Sequence, residues 1–156
     1  MNRRRFESRR NRGGKLPRNA APVELTISHV GGRGDGVGRA PYKHNHITNE
    51  HSVFVPATLA GEQVVATPVA ISGQGIRAVL HEIITPSPER REPDCAAFPA
   101  CGGCSFQHWR DESVTAWKQD LVTGFLARAG VPCPDITPPH VCLLYTSDAA
   151  DEAIGV

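Results

Sequence analysis

A mainly β protein, a small OB-like barrel followed by a cysteine-rich loop and one amphipathic helix, is predicted by three features of the sequence. Residues 23 to 84 fall into short runs rich in Val, Ile, Thr and Phe, divided by Gly and Pro. Three of the five cysteines lie within ten positions, at Cys95, Cys101 and Cys104. Beyond them the apolar spacing turns helical, with Val114, Trp117, Leu121, Phe125 and Ala129 three or four residues apart. The chain of 156 residues, 40% hydrophobic and 21% charged, has the make-up of a soluble protein of one domain or two thin ones.

The first segment, 1–21, is a basic arm. Its Arg3, Arg4, Arg5, Arg9, Arg10, Arg12, Lys15 and Arg18 face a single acid, Glu7, for a net +7 in a chain whose total is +1. Without apolar periodicity it is expected to be disordered when free, and such a run suits a polyanion such as RNA or DNA. From Val23 the pattern becomes β-like: VELTISHV, VFVPATL, EQVVATPVAI and IRAVLHEII. Five or so such strands in 22–87 fit a closed or half-closed barrel, with a sandwich as the alternative. The glycine run GGRGDGVGR lacks the Lys-Ser/Thr of a phosphate loop and the dinucleotide glycine spacing, so it reads as a turn, with Gly34, Gly36 and Gly38 letting the chain reverse. Its Arg-Gly-Asp tripeptide is a chance match. The stretch APYKHNHITNEHSV reads as a surface loop, whose His44, His46 and His51 are unrelated histidines rather than a ligand set.

TPSPERREPD reads as a connector, placing the cysteine loop at 88–110. The helix then runs from Asp111, an expected N-cap, to Gly130, an expected C′ residue, within a segment 111–141. VPCPDITPPH is too proline-rich to prolong it.

Cys-x5-Cys-Gly-Gly-Cys brings soft ligands together on a turn, and the glycines let backbone N–H groups point at bound sulfur. An iron–sulfur cluster, a zinc ion and free thiols are the three readings; for a four-ligand site one donor is missing. No apolar run is long enough for a bilayer and no signal core follows the arm, so a membrane partner is not expected and a reducing, cytoplasmic setting is. An odd cysteine count argues against a disulfide framework. RNA contacts are expected from Arg33, Arg39, Lys43 and Arg77, with Tyr42 or Phe54 as stacking groups; the Val-rich surroundings of Phe54 place it in the core.

CAAFPACGGCSFQHW, followed by WKQDLV, resembles the cluster segment of the RNA (uracil-C5)-methyltransferases, and VELTISHVGGRGDGVGR with VFVPATLAGEQV resembles the TRAM barrel that precedes it in that family. The resemblance covers roughly Val23 to Val131. It implies a [4Fe-4S] cluster on Cys95, Cys101 and Cys104, an RNA partner (ribosomal or transfer RNA, 23S ribosomal RNA foremost) and a monomer. It also implies S-adenosylmethionine as methyl donor, bound on a Rossmann-like domain that this chain is not expected to contain. The family's cysteine nucleophile and proton-abstracting carboxylate belong to that domain, so no catalytic residue is carried over and this piece is expected to be inactive alone. Its fourth cluster cysteine lies tens of residues downstream. Cys133 comes too early for it, and Cys142 opens CLLYTSDAADE, which resembles a translated sequencing adapter, so 142–156 is expected to be non-native. A stand-alone TRAM module with a zinc or cluster knuckle, and a zinc-stabilised interaction domain without RNA, are the alternatives.

Overall fold

The structure, a computed structural model, describes residues 20–44, 47–72, 75–132 and 136–139, with side chains 42–44, 47–48 and 72 left out of the description. The basic arm up to residue 19, His46, Cys133, Cys142 and the tail 142–156 lie outside the described residues. The chain divides into two units, Met1–Arg110 and Asp111–Val156.

In the first unit five strands form a closed barrel: β1 (Val23–Val30), β2 (Gly36–His44), β3 (Ile47–Val55), β4 (Gln63–Ser72) and β5 (Gly75–Thr85). Their order around the barrel is β1-β2-β3-β5-β4. All pairings are antiparallel except a short parallel one that closes the barrel, Val53 opposite Ile76 and Phe54 opposite Arg77. Alternation decides which side chains enter. Leu25 and Ile27, Val53 and Val55, Val64 and Ala66, Ile76 and Ala78 point inward, joined by Ala40. β2 gives the core Ala40, with Val37 also buried, and its glycines make way for β1. A Cβ on Gly38 would meet Leu25 Cδ1 at 2.6 Å, and one on Gly36 would collide with Thr58 Oγ1. These two glycines are therefore packing positions within a strand, and Gly34, at φ +89°, is the residue that reverses the chain.

The histidine stretch is not a loop. Its residues pair as a long β2–β3 hairpin, with His44 opposite Ile47 and Ala40 opposite His51. A ribbon with polar groups on both faces shows no hydrophobic alternation, so the pattern hid these strands.

The turn between β3 and β4 caps one end of the barrel with Thr58 and Leu59, both buried, and holds an acid, Glu62, at 0% exposure. The Leu59 N–H donates to Glu62 Oε2 (2.8 Å) and the Ser87 N–H to Oε1 (3.2 Å). Arg90 Nε donates to Oε1 (2.6 Å), while Nη2 donates to Oε2 (2.9 Å) and to the Ala57 carbonyl (2.8 Å). Burial pushes the Glu62 carboxyl up, but the hydrogen bonds from Arg90, Leu59 and Ser87 and the Arg90 charge outweigh it, leaving the group below the usual carboxylate range. The connector after β5 is thus fastened to the barrel.

In the second unit α1 (Asp111–Arg128) begins with two acids, Asp111 and Glu112, which suit the positive end of the helix dipole. It ends in a Schellman motif: the Val131 N–H donates to the Leu126 carbonyl (3.0 Å), the Gly130 N–H to that of Ala127 (3.1 Å), and Gly130 takes φ +69°. Val114, Trp117 and Leu121 are half-buried, while Phe125 is 58% exposed beneath the Arg128 guanidinium. No residue of the helix is buried.

Replacing Arg90 by Ala leaves the Glu62 charge without its counter-ion inside the barrel. We expect a loss of about 3 kcal/mol in urea unfolding. Arg90→Ala combined with Glu62→Gln should recover part of it.

Candidate functional site

The cysteine loop rises from a small antiparallel clasp. Arg90 and Trp109 form a β-bridge, the Arg91 N–H donates to the His108 carbonyl (3.0 Å), and the Arg110 N–H donates to that of Glu89 (3.0 Å). Trp109 Nε1 donates to Glu89 Oε2 (2.9 Å), and Arg91 Nε to the Gln107 carbonyl (3.1 Å). Higher up, the Cys95 N–H donates to Gln107 Oε1 (3.1 Å), which ties the first cysteine to the returning strand. Because Arg90 is also the partner of Glu62, the loop and the barrel share one anchor.

Within the loop successive turns set the cysteines. The Phe98 N–H donates to the Cys95 carbonyl (3.0 Å), the Cys101 N–H to that of Ala97 (2.9 Å) and the Gly102 N–H to that of Pro99 (3.2 Å). Gly102 takes φ +74° with open space where a Cβ would stand. Cys95, Cys101 and Cys104 are all exposed and free. Among the described residues no three His, Cys, Asp or Glu side chains converge into a group that could hold a metal ion. The donor set still suits a soft ion or cluster: three thiols on one turn-rich loop, fastened at its base and open to solvent.

His108, under this loop, gave no signal in the sequence as a functional residue. It is 1% exposed, its ring stacks on Phe98 at 5.4 Å between centroids, and neither ring nitrogen has a hydrogen-bond partner among the described residues. Burial, with the nearby Arg90 charge, pushes its pKa down to about 4 against an opposing pull from Glu62. The imidazole is neutral in the fold. A second contact joins loop to barrel at Gly34, where a Cβ would stand 2.7 Å from Phe106.

The expected RNA-contact residues are spread over the barrel's outer surface. Arg33 is exposed on the β1–β2 turn. Arg39 is exposed on β2, opposite Ser52, with Glu50 Oε2 3.7 Å away. Arg39 also edges an open groove of about 540 Å³ lined by Glu24, Leu25, Thr26 and Ser28. Lys43 lies on β2 opposite Thr48, its side chain outside the description, as is that of Tyr42. Arg77 is exposed on β5, with Phe54 and Ala70 as register partners. Phe54 is not in the core: Val53 and Val55 point inward, so the residue between them is half-buried on the outside. Period two overrode the Val-rich composition.

An RNA methyltransferase of Brucella suis is 36% identical over 123 residues, 79% of this chain and 26% of the relative. Those of Caulobacter vibrioides (39% over 108 residues) and a Nostoc species (33% over 108 residues) each match 69% of the chain, and 23% and 22% of their own lengths. The chain is similar to RNA methyltransferases. It spans about a quarter of the length of these curated relatives. Wherever it starts, a match of 123 residues in 156 takes in residues 34 to 123, so the similarity to the Brucella methyltransferase includes β2 to β5 and the whole cysteine loop. No family model matches the chain. No helix among the described residues is long and apolar enough to cross a membrane.

The unfolded chain binds a proton at His108 near pH 6.5 and the native chain only near 4. The stability carried by the neutral ring is therefore whole above pH 6.5 and is lost as pH falls toward 4. We expect urea unfolding to lose about 2 kcal/mol between pH 7 and pH 5, from this group. His108→Phe, which keeps a ring against Phe98, should flatten that interval.

Proposed function

We propose that this chain is the RNA-binding, cluster-carrying part of an S-adenosylmethionine-dependent RNA (uracil-C5)-methyltransferase acting on 23S ribosomal RNA in the cytoplasm. The observation that carries the reading is the similarity to RNA methyltransferases across a stretch that includes the cysteine loop. The fold supports it: a closed five-stranded barrel with arginines on its outside is a common support for RNA.

Cys95, Cys101 and Cys104 would hold a [4Fe-4S] cluster, with the fourth ligand outside the described residues. When bound, the cluster supplies a cross-link that fixes the loop, since methyl and proton transfer consume no electrons. The residues around it give a stiff base through the Glu89–Trp109 and Cys95–Gln107 hydrogen bonds. Arg33, Arg39, Lys43 and Arg77 hold phosphates, assisted by the basic arm. We assign methyl transfer to none of these residues; the relatives are about four times the length of the matched stretch.

The chain purified without oxygen and supplied with iron and sulfide should absorb broadly near about 400 nm and contain about four irons. Cys101→Ser should lose the colour and melt at a lower temperature than the loaded chain. A colourless, well-folded chain holding one zinc would overturn the cluster. RNA binding should weaken with salt as the released counterions require, and a salt-insensitive or absent interaction would overturn the RNA role.

A further inference from the structure

Phe54 stands where the barrel has least reason to spend an aromatic. Its strand neighbours Val53 and Val55 fill the core, while its own ring lies half-buried on the outer face. The ring is seated rather than loose. Gly75 lies beneath it, and a Cβ there would collide with the Ser52 carbonyl oxygen and stand 2.9 Å from a Phe54 ring carbon. Gly75 also takes φ +148°, a conformation that side chains resist. Across the same face the register sets Arg77 beside Phe54 on β5, and Arg39 beside Ser52, two residues back along β3, on β2. Both arginines are exposed; Arg39 has Glu50 at 3.7 Å, and the register partners of Arg77, Phe54 and Ala70, carry no charge.

We propose that Phe54 is a stacking seat for one unpaired RNA base, with Arg77 and Arg39 taking the phosphates on either side of it. This rests on the RNA reading above and narrows it to single-stranded RNA. A base inside a duplex has both faces covered by its neighbours and offers none to a ring. A ring already fixed over glycine loses little freedom when a base lands on it, and aromatic stacking tolerates any base identity. The arginines give the seat its charge complementarity, and Glu50 sets a limit: Arg39 must exchange a carboxylate for a phosphate, while Arg77 need not. Arg77 is therefore the stronger phosphate contact of the two.

The test titrates the 156-residue chain against a labelled 12-nucleotide oligouridylate and a 12-base-pair RNA duplex by fluorescence anisotropy. Phe54→Leu should weaken single-strand binding about tenfold and leave duplex binding unchanged, whereas Phe54→Tyr should stay within about twofold of the wild type. Arg77→Gln should weaken both RNAs and flatten the salt dependence by about one phosphate. Should Phe54→Leu fail to fold, 4-thiouridine cross-linking of the unaltered chain decides instead: an adduct on Phe54 supports the seat, and adducts confined to other elements overturn it. A folded Phe54→Leu chain that binds oligouridylate like the wild type overturns the seat alone. Wild-type chain that binds neither RNA overturns the seat and the RNA reading together.

Discussion

The first unit is organised around one carboxylate that water cannot reach. Glu62 sits in the turn that caps the barrel, and a charge there is tolerable only when its oxygens are occupied by donors. Four hydrogen bonds from three residues meet that need, and two come from a single guanidinium. The requirement runs both ways. Glu62 needs Arg90, so residues 87 to 90 must lie against the barrel's end. Arg90 cannot be there unless the chain leaves β5 in that direction, and its bridge to Trp109 then fixes where the cysteine loop returns. A short polar contact thereby sets the position of an eighteen-residue excursion, residues 91 to 108.

Two features on the same unit depend on that placement. Phe106 reaches the β1–β2 turn only because the clasp aims it there, and Gly34 must then be glycine for two independent reasons, its φ of +89° and the ring beside it. His108 is buried by the same closure, and its nitrogens have no partner among the described residues. A buried polar group left unpaired costs about 1–3 kcal/mol, so the ring is kept for its position under Phe98 and the loop, against a local penalty. Loop and barrel are joined through the Arg90–Glu62 pair and the approach of Phe106 to Gly34.

Much of this was legible in the sequence, and the gaps have causes. The runs VELTISHV, EQVVATPVAI and IRAVLHEII alternate cleanly because each has one face in the core, and their strands lie where the alternation puts them. The helix's start at Asp111 and its stop at Gly130 were legible because end signals are local, although Asp111 is the first helical residue rather than the cap before it. The β2–β3 hairpin was not, since its sequence, polar at most positions, leaves no period to read. Phe54 was misplaced by composition where alternation would have served. Glu62 and Arg90 were invisible for a different reason: twenty-eight residues separate them, and neither a lone acid in a turn nor an arginine in a proline-rich connector announces a partner.

If the barrel holds RNA as proposed, the distribution of charge gives a reason for a specific feature such as the aromatic seat. Eight of the seventeen cationic side chains are concentrated in the first eighteen residues, so the rest of the chain is mildly acidic. Attraction to a phosphate backbone acts through the whole arm, is screened by salt and reads no register. It can gather RNA but cannot say which nucleotide rests where. On the barrel, by contrast, few cations are available, and Arg39 already has a carboxylate beside it. An interface of that kind gains selectivity from geometry: a ring held over Gly75 accepts a base only at one height and tilt, and flanking guanidiniums accept phosphates only at the spacing the strands impose. On the proposed reading, capture of RNA by the arm and its registration by the barrel are separable steps, and the closed sheet is what would make the second one rigid.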